Sequence, residues 1–218
     1  MNAPDEVLAE RLNQGISALH LGLNTAQCAK LIDYVRLLIK WNQVYNLTAI
    51  RDPLEMITRH ILDSLTVVPL IKGPQVLDVG TGAGLPGIPL AIALPQFKFV
   101  LLDSVAKKTR FLVQAIGELK LNNVTVETQR VEKYQTQELF DTVISRAFSS
   151  LAEYIAVAGH LSRRNDGVLL AMKGRYPQNE LAVLPPGYQL KGVERLIVPD
   201  LNEERHVVQL IRNNSINT

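Results

Sequence analysis

The sequence predicts an α/β protein in which a mostly parallel, Rossmann-like sheet follows an N-terminal helical segment. After Gly73-Pro74, short apolar runs alternate with longer helical patterns. This alternation is typical of parallel strands joined by crossover helices. The first apolar run ends in a glycine-rich turn, residues 80–84, directly before a helical pattern. Before Gly73 the apolar residues recur at helical spacing instead.

Three helices are predicted in the N-terminal segment. Pro4–Leu19 is the least periodic, and Ala26–Tyr45 carries a clear apolar stripe that Asn24 or Thr25 can cap. Asp52–Leu70 begins with Asp-Pro, which suits the N-cap and the first helical position.

The C-terminal part is predicted to alternate strands and helices and to end in an antiparallel pair at one edge of the sheet. The predicted strands are Gln75–Val79, Lys98–Leu102, Val124–Thr128, Asp141–Ser145 and Val168–Met172, followed by the edge pair Tyr188–Val198 and His206–Ile211. The predicted helices are Leu85–Leu94, Ser104–Lys120 and Ser149–Leu161.

Composition narrows the class of protein. The chain has 218 residues, 47% apolar and 20% charged, which is typical of one globular domain or of a domain with a small addition. A single cysteine, Cys28, excludes an internal disulfide and a four-cysteine zinc site. The uncharged run 79–97 is rich in glycine and proline, so it is a poor membrane helix, and the N-terminus lacks a secretory pattern. We expect a soluble, cytoplasmic protein.

Charge gives a weaker indication. The formal net charge is only +2, yet residues 103–175 hold eleven basic and eight acidic side chains. This bias is compatible with RNA binding, but charge counting alone favours an ordinary solvated surface. Lys107, Lys108 and Arg110 illustrate both alternatives, since they fit a solvated helix face or a phosphate contact.

The glycine-rich turn admits two ligands. Gly82-x-Gly84-x-x-Gly87 fits the dinucleotide fingerprint, with Asp103 about 20 residues further on. Asp78, however, stands two residues before Gly80, and the acid-x-Gly-x-Gly-x-Gly pattern resembles motif I of class I S-adenosylmethionine-dependent methyltransferases. Asp78 can accept hydrogen bonds from turn amides or face a ligand's ammonium group, and Asp103 can bind ribose hydroxyls with either cofactor.

Four segments together make the resemblance specific. They are Lys40-Trp-Asn-Gln-Val-Tyr-Asn-Leu-Thr48, Arg59-His-Ile-Leu-Asp-Ser-Leu65, Leu77-Asp-Val-Gly-Thr-Gly-Ala-Gly-Leu-Pro-Gly-Ile-Pro89 and Val143-Ile-Ser-Arg-Ala-Phe148. From about Leu31 to Val208 the chain closely resembles the bacterial 16S rRNA (guanine-N7) methyltransferase family RsmG, formerly called glucose-inhibited division protein B.

The resemblance implies a class I methyltransferase fold with a seven-stranded sheet at residues 74–218 and a helical extension at residues 1–73, packed as one unit. It also implies transfer of a methyl group from S-adenosylmethionine to N7 of one guanine in 16S small-subunit rRNA. The expected partner is 16S rRNA or the small ribosomal subunit. We expect a monomer, with neither a metal nor a membrane as partner.

Site residues carry over from the same family motifs. Arg146 and Lys173, which end the fourth and fifth strands, are expected to be catalytic. The expected cofactor-binding residues are Asp78, Gly80, Gly82, Gly84, Leu85, Asp103, Val131, Glu132 and Arg146. Trp41 and Tyr45 fit helix packing better than base stacking, and His60 could couple to Asp63 or Arg59 on the same helix.

Three other functions remain compatible with the residues alone. The chain could be a class I methyltransferase acting on a small molecule or a protein. It could be a non-catalytic ribosome-binding module that keeps the fold. A nicotinamide-dependent oxidoreductase is the third alternative, because Asp103 does not discriminate between the two cofactors.

Overall fold

The computed structural model describes residues 4–213, which begin with two long helices. These are α1 (Asp5–Ala18) and α2 (Thr25–Tyr45). Asn24 begins α2 with a capping box, because its side chain accepts a hydrogen bond from the Gln27 amide and the Gln27 side chain accepts one from the Asn24 amide, both 2.9 Å long. The predicted cap and the predicted bounds of α2 are confirmed to within one residue.

The single helix predicted over 52–70 is wrong. The structure has α3 (Pro53–Met56), then a π-helical segment (Ile57–Leu62), α4 (Asp63–Leu65) and a 3₁₀ turn (Val68–Leu70). A π-helical turn contains more residues than an α-helical turn, so apolar spacing near 3.6 does not reveal it. Asp52 does cap α3 through the Glu55 amide at 2.9 Å, as its position predicted.

Within residues 4–213, seven strands form one sheet in the order β3-β2-β1-β4-β5-β7-β6, and β7 runs in the opposite direction to the other six. The strands are β1 (Gln75–Val79), β2 (Lys98–Asp103), β3 (Val124–Thr128), β4 (Thr142–Ser145), β5 (Val168–Lys173), β6 (Tyr188–Arg195) and β7 (His206–Arg212). The predicted fold class and the antiparallel edge pair are confirmed.

The crossover helices are α5 (Gly87–Ala93), α6 (Ala106–Leu119) and α7 (Leu151–Ala158), and a short α8 (Gln178–Leu181) follows β5. Helix α5 begins two residues later than predicted, since residues 80–86 still belong to the turn. Four residues are too few to show helical periodicity, so α8 was not predicted. Within residues 4–213, no helix is long and apolar enough to span a membrane.

The N-terminal helices share a hydrophobic core with α5 and α6. Leu31, Leu38 and Ile61 are buried in the same apolar cluster as Ile88 of α5 and Phe111 of α6. This cluster spans the boundary predicted at residue 73, and the two-part division itself stays a prediction. The arrangement brings α2 and the π-helical segment against the edge where the parallel strands end, which is where α/β sheets bind ligands.

Candidate functional site

The glycine turn folds back onto the end of β2. The amides of Gly80 and Thr81 both donate to the Leu102 carbonyl, at 2.8 and 3.1 Å. Gly80, Gly82 and Gly84 all have positive φ, at 68°, 62° and 92°. Residues with a Cβ rarely adopt this conformation, so the alternating glycines are required by the backbone.

Asp78 holds the turn from beneath. Its Oδ2 accepts hydrogen bonds from the Thr81 hydroxyl (2.6 Å) and the Gly87 amide (2.8 Å). Burial raises the pKa of Asp78 to about 6, and those two hydrogen bonds limit the rise. The carboxylate therefore serves the turn. Its Oδ1 is buried without a hydrogen-bond partner in the described part of the chain, so contact with a ligand's ammonium group stays a prediction.

A cavity of about 290 Å³, the cofactor cavity, opens beside the ends of β1 and β2. Four predicted cofactor residues line it: Gly80, Asp103, Val131 and Glu132. Val131 and Glu132 belong to a 3₁₀ turn, Val131–Lys133, that follows β3. Phe148 also lines the cavity, although it was not predicted as a site residue.

Asp103 stands at the rim of the cofactor cavity and is partly committed to the backbone. Its Oδ2 accepts from the Gly82 amide at 2.9 Å and its Oδ1 from the Val105 amide at 2.8 Å. Each carboxylate oxygen can accept more than one hydrogen bond, so capacity for ribose hydroxyls remains. Lys108, predicted to be a surface or phosphate-binding residue, also lines this cavity, with its ammonium 3.8 Å from Asp103.

A second cavity of about 190 Å³, the neck, adjoins the first and shares Gly80 and Ala147 with it. Gly82, Leu85 and Arg146 are the further predicted residues that line the neck. Gly84 lines neither cavity. It packs against the protein interior, where an added Cβ would meet the side chains of Ile88 and Leu112. Close packing beneath the turn, in addition to its φ, thus accounts for Gly84.

His60 lines the neck as a neutral side chain. Its Nε2 lies 2.8 Å from the Thr48 hydroxyl. Burial and, to a smaller extent, the nearby charge of Arg146 lower the pKa of His60 to about 4. Of the two couplings that the sequence left open, the one between His60 and Asp63 is not formed, since Asp63 pairs with Arg146 and Arg205. The charge of Arg59 does act on His60 and contributes to its lowered pKa.

Arg146 is fixed by the N-terminal extension. Its Nη1 donates to Asp63 Oδ2 at 2.9 Å and to the Arg59 carbonyl at 3.4 Å. Asp63 is buried while the Arg146 side chain is 27% exposed, so the guanidinium is anchored on one side and faces the cavities on the other.

Lys173 makes three polar contacts within the protein, and its predicted catalytic role stays a prediction. Its ammonium donates to the carbonyls of Phe148 and Ser149, at 3.4 and 3.1 Å, and to Glu180 Oε2 at 3.0 Å. These contacts can occupy all three N–H donors of a lysine. The Leu151 amide, at the start of α7, donates to the same Glu180 oxygen at 2.6 Å. Lys173 and Glu180 together hold the segment that carries Arg146 and Phe148.

A third cavity of about 350 Å³, the cationic cavity, meets the neck at His60 and Arg146. Its charged lining consists of Arg59, Arg146, Lys173 and Arg205 with one carboxylate, Asp63. No sequence pattern indicates that Arg59, Arg205 and the neutral His60 belong to a common site. They come from the π-helical segment and from the end of the β6–β7 loop, and their proximity depends on the tertiary fold.

The N-terminal helices also reach the glycine turn. The hydroxyl of Tyr34 in α2 donates to the Ala83 carbonyl at 2.6 Å and is fully buried. Trp41 stacks on Tyr45 at 5.1 Å between ring centroids and packs on Phe111 at 5.6 Å, in agreement with the predicted packing role. In residues 4–213, no group of three or more metal-ligating side chains is close enough to hold an ion.

Comparisons with known proteins agree with this geometry. The family described as rRNA small subunit methyltransferase G matches residues 27–208. The chain is 52% identical over 206 residues to "Ribosomal RNA small subunit methyltransferase G" of Nitrosococcus oceani, covering 94% of this chain and 96% of that protein. The protein of the same name from Aliivibrio fischeri is 48% identical over 203 residues, covering 93% and 97%.

Solved structures support the fold. TrmN from Thermus thermophilus matches with a TM-score of 0.57 and 17% identity, covering 72% of this chain and 53% of that chain. TYW2 from M. jannaschii, solved in complex with AdoMet, matches with a TM-score of 0.53 and 17% identity, covering 70% and 76%. At this level of identity the likeness concerns the architecture of the sheet and its helices.

Proposed function

The chain belongs to the rRNA small subunit methyltransferase G family, and we propose that it methylates N7 of one guanine in 16S rRNA with S-adenosylmethionine as the methyl donor. One observation supports this most directly. The cofactor cavity communicates with the cationic cavity through a neck lined by Arg146. A nucleoside cofactor on one side and an anionic nucleotide on the other would meet at this neck. A nicotinamide cofactor is disfavoured by the same family assignment.

The cofactor cavity has features that fit S-adenosylmethionine. The positive-φ glycines let a ligand approach the backbone of the turn, and a Cβ at Gly80 would lie 2.7 Å from the Cβ of Ala147. Asp103 offers carboxylate oxygens for ribose, and the buried Asp78 Oδ1 lacks a partner among residues 4–213. Gly80, Asp103, Val131 and Glu132 would hold the cofactor at this edge of the sheet.

Methyl transfer to guanine N7 requires no proton transfer before the base attacks. S-adenosylmethionine supplies a methyl group bound to a sulfonium. Guanine N7 carries a lone pair, so the base needs no deprotonation before it attacks. The contribution of the chain is then orientation of the base, exclusion of water and electrostatic stabilisation as charge moves onto the base. The neutral state of His60 fits this role, since it adds no positive charge near a base that becomes cationic.

Arg146 is proposed to position the guanine. Its fork geometry suits guanine O6 or a phosphate, and Asp63 fixes one face of it. A cation directly at N7 would oppose the reaction, so we place the guanidinium at O6 or at a phosphate. Lys173 is proposed to contribute through the segment that it holds. A guanine can reach the neck only when it is unstacked, which favours a loop of the rRNA.

The proposal also covers the RNA partner, the oligomeric state and the cellular compartment. Cytoplasmic 16S rRNA, either free or in the small subunit, is the expected substrate of a monomeric enzyme without a metal ion. We propose that the helical extension at 1–73 and the catalytic part at 74–218 act as one functional unit. Tyr34 of the extension donates to the Ala83 carbonyl, and Asp63 of the extension accepts from Arg146.

The test uses rRNA from cells that lack the protein. Mass mapping of their 16S rRNA should show one missing methylguanine, and purified wild-type protein with S-adenosylmethionine should restore it. Arg146→Lys keeps the charge opposite Asp63 but loses the fork, so it should fold normally and restore the mark far more slowly. An unchanged mass map in the deletion strain would refute the proposed function.

A further inference from the structure

One acidic side chain, Glu203, bridges two arginines that line the cationic cavity. Glu203 lies in the loop between β6 and β7, and its two oxygens hold different guanidinium groups. Glu203 Oε1 is 2.7 Å from Arg59 Nη2, and Glu203 Oε2 is 3.0 Å from Arg205 Nη2. The side chain of Glu203 is 43% exposed, so solvent and other molecules can reach it.

The two arginines form a site that is already arranged. Arg205 also directs its Nε to Asp63 Oδ1 at 3.3 Å, and Asp63 in turn binds Arg146. Arg59 belongs to the π-helical segment, and its carbonyl accepts from Arg146. The outer guanidinium pair is thereby tied to the arginine of the neck through a buried carboxylate and a backbone group, independently of Glu203.

The chemistry of the pair matches a phosphodiester. Two guanidinium groups that each bind one oxygen of a carboxylate can equally bind the two non-bridging oxygens of a phosphate, which carries the same single negative charge. The hydrogen bonds from Arg59 and Arg205 lower the pKa of Glu203, so it is ionised at neutral pH. Exposed ion pairs are weak, so an incoming phosphate can displace this side chain at small cost.

We propose that Arg59 and Arg205 form a binding site for a backbone phosphate of the RNA substrate, and that Glu203 occupies this site as an internal substitute until RNA displaces it. The proposal rests on the proposed function, because it takes RNA as the ligand. It assigns the site next to the neck, where a nucleotide adjoining the inserted guanine would place its phosphate. Glu203 then weakens binding of RNA that does not contact both arginines.

The neighbouring Glu204 provides a matched control. It is exposed, and its side chain makes no ion pair or hydrogen bond within the described residues. Glu203→Gln and Glu204→Gln therefore change the net charge equally, and only the first removes the carboxylate that bridges the two arginines; the contact of Arg59 with Glu55 at 4.0 Å is the same in both variants. The probe is a fluorescein-labelled single-stranded RNA of ten nucleotides that contains one guanine, and binding is followed by fluorescence anisotropy at low salt.

Glu203→Gln should tighten RNA binding about threefold to tenfold, as expected from the strength of exposed ion pairs, while Glu204→Gln should change it less than twofold. The gain should shrink when Arg59→Gln is introduced together with Glu203→Gln, because one half of the site is then missing. Equal effects of the two glutamate variants, or a gain that is independent of Arg59, would overturn the proposal.

A second readout separates this inference from the proposed function. Glu203 lines none of the three cavities, so the affinity of Glu203→Gln for S-adenosylhomocysteine should equal that of the wild type. If cofactor binding and restoration of the rRNA mark persist while RNA affinity is unaltered in Glu203→Gln, the phosphate site fails and the methyltransferase function stands. If the mark is not restored by wild-type protein, the proposed function itself fails.

Discussion

Substitution of Gly80 by alanine tests whether the glycine turn shapes the cofactor cavity. Gly80 has a φ of 68°, which costs a residue with a Cβ about 1–2 kcal/mol. The new Cβ would also lie 2.7 Å from the Cβ of Ala147, well inside the usual carbon–carbon contact of about 3.5–4 Å. Ala147 must then move, and forced overpacking of this kind costs roughly 1–3 kcal/mol.

Gly82→Ala is the matched control for this experiment. Its φ is 62°, but the nearest atoms to an added Cβ are 3.9 Å away. Both variants have the same backbone strain and the same reduction of entropy in the unfolded chain. The difference in their free energies of unfolding therefore isolates the contact with Ala147, and we expect Gly80→Ala to be less stable by about 1–3 kcal/mol.

The measurements are urea denaturation without ligand and calorimetric titration with S-adenosylhomocysteine. Gly80 and Ala147 border both the cofactor cavity and the neck. Displacement of Ala147 should therefore also weaken binding of S-adenosylhomocysteine. If the free protein relieves about 1.4 kcal/mol of strain by moving Ala147 and must restore that strain when the ligand binds, the affinity falls about tenfold. Equal stability of the two alanine variants would refute the reasoning about the turn.

Three further predictions concern pH, the Lys173 contacts and the helix cap. Burial raises the pKa of Asp78 to about 6, so protonation of this group stabilises the fold at low pH, and that contribution is lost as pH rises from about 4 to 6. The pKa of His60 is lowered to about 4, so the neutral imidazole contributes stability at neutral pH, and that contribution is lost as pH falls from about 6.5 to 4. Since these contributions oppose each other, Asp78→Asn should make urea-measured stability fall more steeply between pH 6 and pH 4, and an unaltered slope would contradict this. Lys173→Met should lower the free energy of unfolding by about 1–3 kcal/mol and reduce methylation of small ribosomal subunits, and Glu180→Gln should reproduce part of both losses. Wild-type stability of both variants would argue against the idea that Lys173 and Glu180 hold the segment that carries Arg146. Asn24→Ala should cost about 1 kcal/mol in the same denaturation assay, with no change in S-adenosylhomocysteine affinity, because its capping box lies outside the site.

Sequence patterns predicted most of the sheet because its strands are short apolar runs separated by glycine, proline and polar residues. The turn at Gly80 was equally readable, since positive φ leaves a direct trace in residue type. The π-helical segment left no such trace. An apolar stripe at 57–65 fits a regular helix almost as well, so the break in the predicted helix became visible only in three dimensions.

The site residues likewise fall into those that the sequence predicted and those that only the structure shows. Residues that follow strands, such as Asp103 and Arg146, could be placed at one edge of the sheet from the sequence. Arg205 could not be selected, because its role depends on Asp63, which is far away in the chain. Glu180 is only seven residues from Lys173, but it lies in α8, which is too short to show helical periodicity. Asp78 shows a further limit: its pattern indicated a functional carboxylate, yet only the structure shows that it holds Thr81 and Gly87.

The π-helical segment should make this region tolerant of the loss of one residue. A π-helical turn spreads one rotation of the chain over more residues than an α-helical turn, so removal of a single residue between Ile57 and Leu62 would let the chain continue as an ordinary α-helix. The residues that follow would keep nearly the same direction around the helix axis, and Asp63 would still face Arg146. The same deletion in α2, a regular α-helix, would rotate all following side chains by about 100°. Homologous chains and engineered variants should therefore accept a one-residue deletion within Ile57–Leu62 more readily than one in α2.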